Sequence, residues 1–146
     1  MWNETTEKRL KIWLEFRDKI NSLPLDLALK ETAHLWSYAP FVNYHLDSDD
    51  ISQWPDPWQL LHENEYCNLS IALGMFYTVC LSNHQIDSCK LQVISDSKGD
   101  YFNIVVVNNQ YVLNYNFDEI VNISAIANSK IRNEYSSTDL KIDNYK

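Results

Sequence analysis

Cys67-Asn68-Leu69-Ser70-Ile71-Ala72-Leu73-Gly74-Met75-Phe76-Tyr77-Thr78-Val79-Cys80-Leu81-Ser82 is the most apolar stretch of the chain, and its reading decides the fold. The apolar side chains of residues 67–82 are spread almost all round a helical wheel. A helix of that kind has no face to give to water, so it is central and buried. Its one glycine, Gly74, leaves room for a close neighbour.

Downstream the period changes from that of a helix to that of a strand. Leu91–Ser95, Tyr101–Val107 and Tyr111–Asn116 read as strands. Asp96-Ser97-Lys98-Gly99 supplies the first turn, and Asn108-Asn109 is a two-residue hairpin signal. The three strands are expected to form an antiparallel meander. A last helix is expected around 118–131, followed by a polar tail.

Upstream, residues 5–21 have amphipathic helical spacing. Leu10, Trp13, Leu14 and Ile20 fall near one face, with Lys8, Arg9, Arg17 and Asp18 mostly elsewhere. Asn21, Ser22 and Pro24 break it, and a second helix over 25–38 turns Ala28, Leu35 and Trp36 inward. Pro40 stops that helix, because proline lacks the N–H that the next turn needs. Residues 39–57 are a long connection rich in aromatics and stiffened by Pro40, Pro55 and Pro57. Asp56-Pro57 is an N-cap followed by a first-turn proline, and starts a short helix over 58–62. The expectation is one α+β domain over 1–146. Two helices occupy 1–38, the aromatic and proline loop 39–57, and the short and central helices 58–82. A three-stranded antiparallel meander follows at 90–116, then a C-terminal helix and tail at 117–146.

Composition narrows the function. The 146 residues are 45% apolar and 22% charged, enough to build a core and too hydrophobic for default disorder. Only two glycines are present, which leaves no glycine-rich phosphate loop. A formal net charge of −8, with twelve cationic side chains scattered along the chain, argues against nucleic-acid binding, which needs cations to displace phosphate counterions. Three cysteines do not resemble a secreted disulfide framework, and no apolar run approaches membrane-spanning length. The polar stretch from Met1 to Lys11 has no signal-peptide core.

Cys67, just after Asn64-Glu65-Tyr66, is the residue with most chemical content. A thiol at a helix N-terminus is favoured as thiolate by backbone N–H groups and the helix dipole. A nucleophile also needs a base and a group to orient it. The run from Asp56-Pro57-Trp58 through Glu65-Tyr66-Cys67, then a buried helix and antiparallel strands, resembles the transglutaminase-like and papain-like cysteine proteins. The chain as a whole also resembles small proteins of tailed bacteriophages. The first resemblance implies a His at the start of the second strand and an Asp on the next. Here the corresponding positions hold Asp100, Tyr101, Phe102 and Asn103, and then Asn114 or Tyr115. The only His after Cys67 is His84, about 25 Å along an unbroken helix. His62 and His45, upstream, are the remaining candidate bases. The competing account of Cys67 is a small buried residue capping a core helix.

Three other groupings stand out. Cys80, His84 and Cys89 form an incomplete zinc-ligand set, so neither metal nor cofactor is expected. Asp47, Asp49 and Asp50 lack the glycine and distal glutamate of a calcium loop; Ser48 or Asp49 is expected to cap a short helix there. The aromatic loop offers Phe41, Tyr44 and Trp54, rimmed by Asp47, Asp49 and Asp50, as a surface for a protein partner.

The leading expectation is a non-catalytic protein-binding domain on a degenerate transglutaminase-like scaffold. The phage resemblance implies a virion component, an assembly factor or a host-interaction protein, located in the virion or the host cytoplasm. The alternatives are a cysteine hydrolase or acyltransferase using Cys67 with His62 or His45, and an acidic inhibitor of a host defence protein.

Overall fold

A computed structural model describes residues 1–146. Four α-helices, α1 (Thr6–Asn21), α2 (Leu25–Ser37), α3 (Pro57–Glu63) and α4 (Asn68–Cys80), precede five strands. The strands are β1 (Cys89–Ser95), β2 (Tyr101–Val107), β3 (Tyr111–Leu113), β4 (Ile120–Asn122) and β5 (Lys130–Ser136). They form one sheet in the order β4-β3-β2-β1-β5, with every neighbouring pair antiparallel. No helix is long and apolar enough to cross a membrane.

The central helix is where the composition puts it. From Leu69 to Val79 every residue of α4 is buried, with α2 on one side and β1 and β2 on the other. Gly74 makes this possible. A Cβ there would lie 2.3 Å from Cζ3 of Trp36, so the indole ring rests directly on the helix backbone. Trp36 in turn meets the rings of Trp2 and Tyr66, at centroid distances of 5.1 and 5.7 Å. The indole N–H groups of Trp13 and Trp36 both donate to Thr78 Oγ1, at 3.0 and 2.9 Å. One hydroxyl therefore satisfies two donors in a dry core and ties α1 and α2 to α4.

α1 differs from its expected face. Leu14 is 44% exposed, whereas Arg9 is buried. The Arg9 guanidinium donates to the carbonyls of Leu61 (2.8 Å) and His62 (3.2 Å), to Thr6 Oγ1 and to the Glu4 carbonyl. Those carbonyls, at the C-terminal end of α3, replace the water that the charge loses. Arg17 also turns inward, over the Trp13 ring at 4.8 Å, and donates to the Leu81 carbonyl.

The second half has five strands rather than three, and the expected helix over 118–131 is absent. Asp118 takes a left-handed φ of 58°, which breaks a helix at its start. Ile120 and Val121, both β-branched, pair with Leu113 and Val112 as β4. Asn122 caps a single 3-10 turn over Ile123–Ile126, and Lys130–Ser136 then adds to the free edge of β1. β5 is largely exposed, so its sequence carries little of the apolar alternation that marks a strand. The third strand stops at Leu113 because Asn114 has φ 65°. The pairing of Val107 with Tyr111 makes the β2–β3 loop three residues long; Asn108 and Asn109 both adopt φ 54°.

The connection over 39–57 is fastened to the body at several points. Phe41 bridges Tyr66, with Val42 N donating to Tyr66 O and Tyr66 N to Pro40 O. Trp54 is buried against Tyr135, and its indole N–H donates to Asp47 O at 2.8 Å. Asp50, rather than Ser48 or Asp49, caps the short 3-10 helix at Ile51–Gln53 through Ser52 N.

Candidate functional site

Cys67 is the N-cap of α4, in extended backbone just ahead of the first turn. Its own N–H donates to Ser70 Oγ at 2.8 Å, and the Ser70 hydroxyl lies 3.0 Å from Cys67 O and 3.6 Å from Sγ. Serine at the third helical position thus closes a capping box around the cysteine backbone. Cys67 is 1% exposed and Ser70 is fully buried. Tyr44, from the long connection, lies over this pair with its hydroxyl donating to Glu65 O at 3.2 Å. Burial pushes the Tyr44 phenol above its ordinary range; the Ser70 hydroxyl opposes the rise, and Cys67 and two nearby glutamates add to it.

The two candidate bases are elsewhere. His62 is an exposed residue of α3 that contributes only its carbonyl, to Arg9. His45 is exposed in the long connection. Neither imidazole hydrogen-bonds Sγ, whose one such partner is Ser70. His84, at the far end of α4, places Nε2 2.8 Å from Ile20 O, at the C-terminus of α1.

Facing the start of α4, β2 and the end of β3 present asparagines. Asn103 Nδ2 donates to Asn68 Oδ1 at 3.0 Å. Asn114 Nδ2 donates to Asn103 O at 2.9 Å and lies 3.4 Å from Asn68 Oδ1. Three amides from α4, β2 and the β3 terminus therefore form one connected group, beside the residue that caps the helix. Asn103 and Asn114 occupy the stretches where the sequence resemblance asks for His and Asp. Amides donate and accept but neither take a proton at neutral pH nor carry charge, so the group cannot deprotonate a thiol.

Beside the amides is an open cleft of about 450 Å³. Asn68, Asn114, Ile71 and Ala39 line its inner part. Phe102 packs against Tyr115 along one wall, the rings tilted at 41° with centroids 4.8 Å apart. Phe41, Tyr101 and Phe117 stand at the rim, 64%, 66% and 68% exposed. Tyr38 packs edge-on against Phe117, and its hydroxyl and the His34 ring hold Asp118 at 3.0 and 2.8 Å.

Of the six loop residues expected to meet a partner, only Phe41 borders this cleft. Trp54 is 8% exposed and seals the core beneath the loop. Tyr44 is half-buried over Cys67; Asp49 holds Asn133, and Asp50 is a cap. Asp47 is exposed, and its carboxylate caps the backbone N–H of Asp49. The aromatics that the sequence reading passed over are Tyr101, Phe102, Tyr115 and Phe117. Tyr101 is a large apolar residue at the start of β2 and Phe117 one in the turn between β3 and β4, places where the buried pattern does not need them.

A buried helix opened by a cysteine, packed on an antiparallel sheet with helices on its other side, defines the transglutaminase/papain-like α+β fold. Among solved structures the chain is similar to calcium-bound LapG of Legionella pneumophila, with a TM-score of 0.73 and 14% identity over 92% of this chain and 78% of that one. LapG in two further structures, one of them EGTA-treated, matches with a TM-score of 0.72 and 15% identity, covering 90% of this chain and 75% and 74% of the others. No protein-family model matches the chain, and no curated protein matches it significantly.

Proposed function

We propose that this chain is a non-catalytic protein-binding domain that receives a polypeptide segment in the aromatic cleft at the N-terminus of α4. The observation that carries the reading is the amide group Asn68–Asn103–Asn114, standing where a cysteine hydrolase of this architecture needs an imidazole and a carboxylate. The burial of Cys67, with Ser70 as the one hydrogen-bond partner of its sulfur, supports it from the other side. Exposed Phe41, Tyr101 and Phe117 supply large, stiff apolar contacts, the residue types that dominate interface energies. We extend the proposal to a virion, assembly or host-interaction partner, the kind of partner that the sequence reading expects.

Panning a random-peptide display library tests the reading. Wild-type protein is expected to enrich a related set of sequences, and Phe41→Ala/Phe117→Ala to lose them with its melting temperature unchanged. Failure of the wild type to enrich any sequence would sink the proposal. The second reading, a cysteine hydrolase or acyltransferase acting through Cys67, is favoured by the position of that cysteine at the start of the central helix. Fast, selective alkylation of Cys67 at neutral pH, suppressed by His62→Ala or His45→Ala, would favour it over binding.

A further inference from the structure

The opposite end of α4 holds two more thiols. Cys80 is the last residue of α4 and Cys89 the first of β1. The eight residues between them fold back so that the two side chains line one cavity and pack against the same edge of the core. Both cysteines are free. They line a second cavity, of about 660 Å³, whose walls also carry Arg17, His84, Lys141 and Asp87, and an ion pair between Asp143 and Lys146. Arg17 has no carboxylate partner; its guanidinium donates to Leu81 O. Cys67 starts the same helix, about 20 Å away at 1.5 Å per residue, and takes no part.

We propose that Cys80 and Cys89 are a reversible redox pair that closes to an intramolecular disulfide by exchange with a small anionic disulfide of the glutathione type. Cys80 gives its proton to solvent and attacks one sulfur of glutathione disulfide, displacing one glutathione, which takes up a proton. Cys89 then loses its proton and attacks the Cys80 sulfur of the mixed disulfide, releasing the second glutathione. Two protein thiols are oxidised, and one glutathione disulfide is reduced to two thiols. The order of attack follows from the surroundings: the neighbouring Cys80 sulfur, toward which the Cys89 proton points, and then burial hold that proton on Cys89, leaving Cys80 as first nucleophile. Arg17 and Lys141 in the cavity wall suit the carboxylates of glutathione.

The closed form staples the end of the buried helix to the central strand pair and fixes the connection that carries His84. The chain-entropy cost removed from the unfolded state by a loop of this length corresponds to a rise in melting temperature of about 5–10 °C. The experiment treats the folded protein with oxidised glutathione, blocks remaining thiols with N-ethylmaleimide in denaturant and measures the intact mass. The expected product has lost two hydrogens, carries one maleimide, on Cys67, and yields a Cys80–Cys89 cross-linked peptide. Cys80→Ser and Cys89→Ser should each fail to lose the two hydrogens, and Cys67→Ser should close as wild type does. Three maleimides, a lasting glutathione adduct on the wild type, or a covalent dimer would each overturn the proposal.

Discussion

Thr78→Val replaces a hydroxyl by a methyl of nearly equal size, at a position with no exposed surface. It opens no cavity and changes no charge, so its cost isolates hydrogen bonding. Thr78 Oγ1 accepts from Trp13 Nε1 and Trp36 Nε1 and donates to Gly74 O at 2.8 Å. Without it two indole N–H groups are orphaned in a dry core, at roughly 1–3 kcal/mol each. The Gly74 carbonyl remains in the α4 ladder, and the valine methyl recovers about 1 kcal/mol by no longer burying a hydroxyl. The net expectation is a loss of about 3 kcal/mol, or about 6–12 °C in melting temperature for a chain of this length. Urea unfolding followed by tryptophan fluorescence measures it, with the transition slope expected to stay constant. Thr78→Ser keeps the acceptor and should cost much less. The decisive control is the same substitution in a Trp13→Phe/Trp36→Phe background, which has no indole N–H left to orphan. There the cost of Thr78→Val should collapse. A loss below about 1 kcal/mol in the wild type, or an equal loss in the double-Phe background, would refute the reasoning.

Gly74→Ala should destabilise, although alanine is better in a helix by about 1 kcal/mol. Its Cβ would lie within 2.6 Å of three Trp36 ring atoms, and that ring is held by Thr78, Trp2 and Tyr66, so overpacking of about 1–3 kcal/mol or more wins; thermal melting decides the sign. Cys67 should react with iodoacetamide at neutral pH far more slowly than Cys80, as peptide mapping of partly labelled protein would report; equal rates would contradict a sealed thiol. Burial pushes the phenols of Tyr66 and Tyr77 well above their ordinary value of 10.0. Their neutral form is favoured in the folded chain, so this stability is complete below pH 10 and is lost as pH rises past it, at up to about 1.4 kcal/mol per pH unit for each. Denaturant titrations between pH 9 and 11 should show that decline, and Tyr77→Phe should make it shallower.

The helical half of the fold was legible because its signals are local. Thr5 and Asp56 cap α1 and α3 through their side chains. The apolar surround of residues 69–79 announces a buried helix without any tertiary knowledge. Arg9 was not legible: an arginine among helix polar residues reads as solvated, and only the carbonyls of Leu61 and His62, some fifty residues away, make it a core residue. β5 was missed for a related reason. An edge strand lying mostly in solvent needs no alternation, and the Ile120–Ile126 run has apolar residues at spacings that also suit a helix. At the site, Cys67 and the lack of a facing His or Asp could be read from order along the chain. That Asn68, Asn103 and Asn114 hydrogen-bond one another could not, because it depends on the register of β2 against β1 and on the left-handed turn at Asn114. Trp54 shows the converse: a large aromatic in a proline-rich loop looks like an anchor for a partner, yet it anchors the loop to Tyr135 of the same chain.

The amide group also has an evolutionary reading. Asparagine codons lie one base from those of histidine and one base from those of aspartate. Asn103→His and Asn114→Asp are therefore each a single-nucleotide step, on a backbone that already brings both positions to the head of a cysteine-capped helix. The same short steps run the other way, so a lineage on this scaffold can exchange amides for titratable side chains and back at both positions. Neither step touches the tryptophans packed around Gly74 and Thr78, so the core that carries both positions is left as it is.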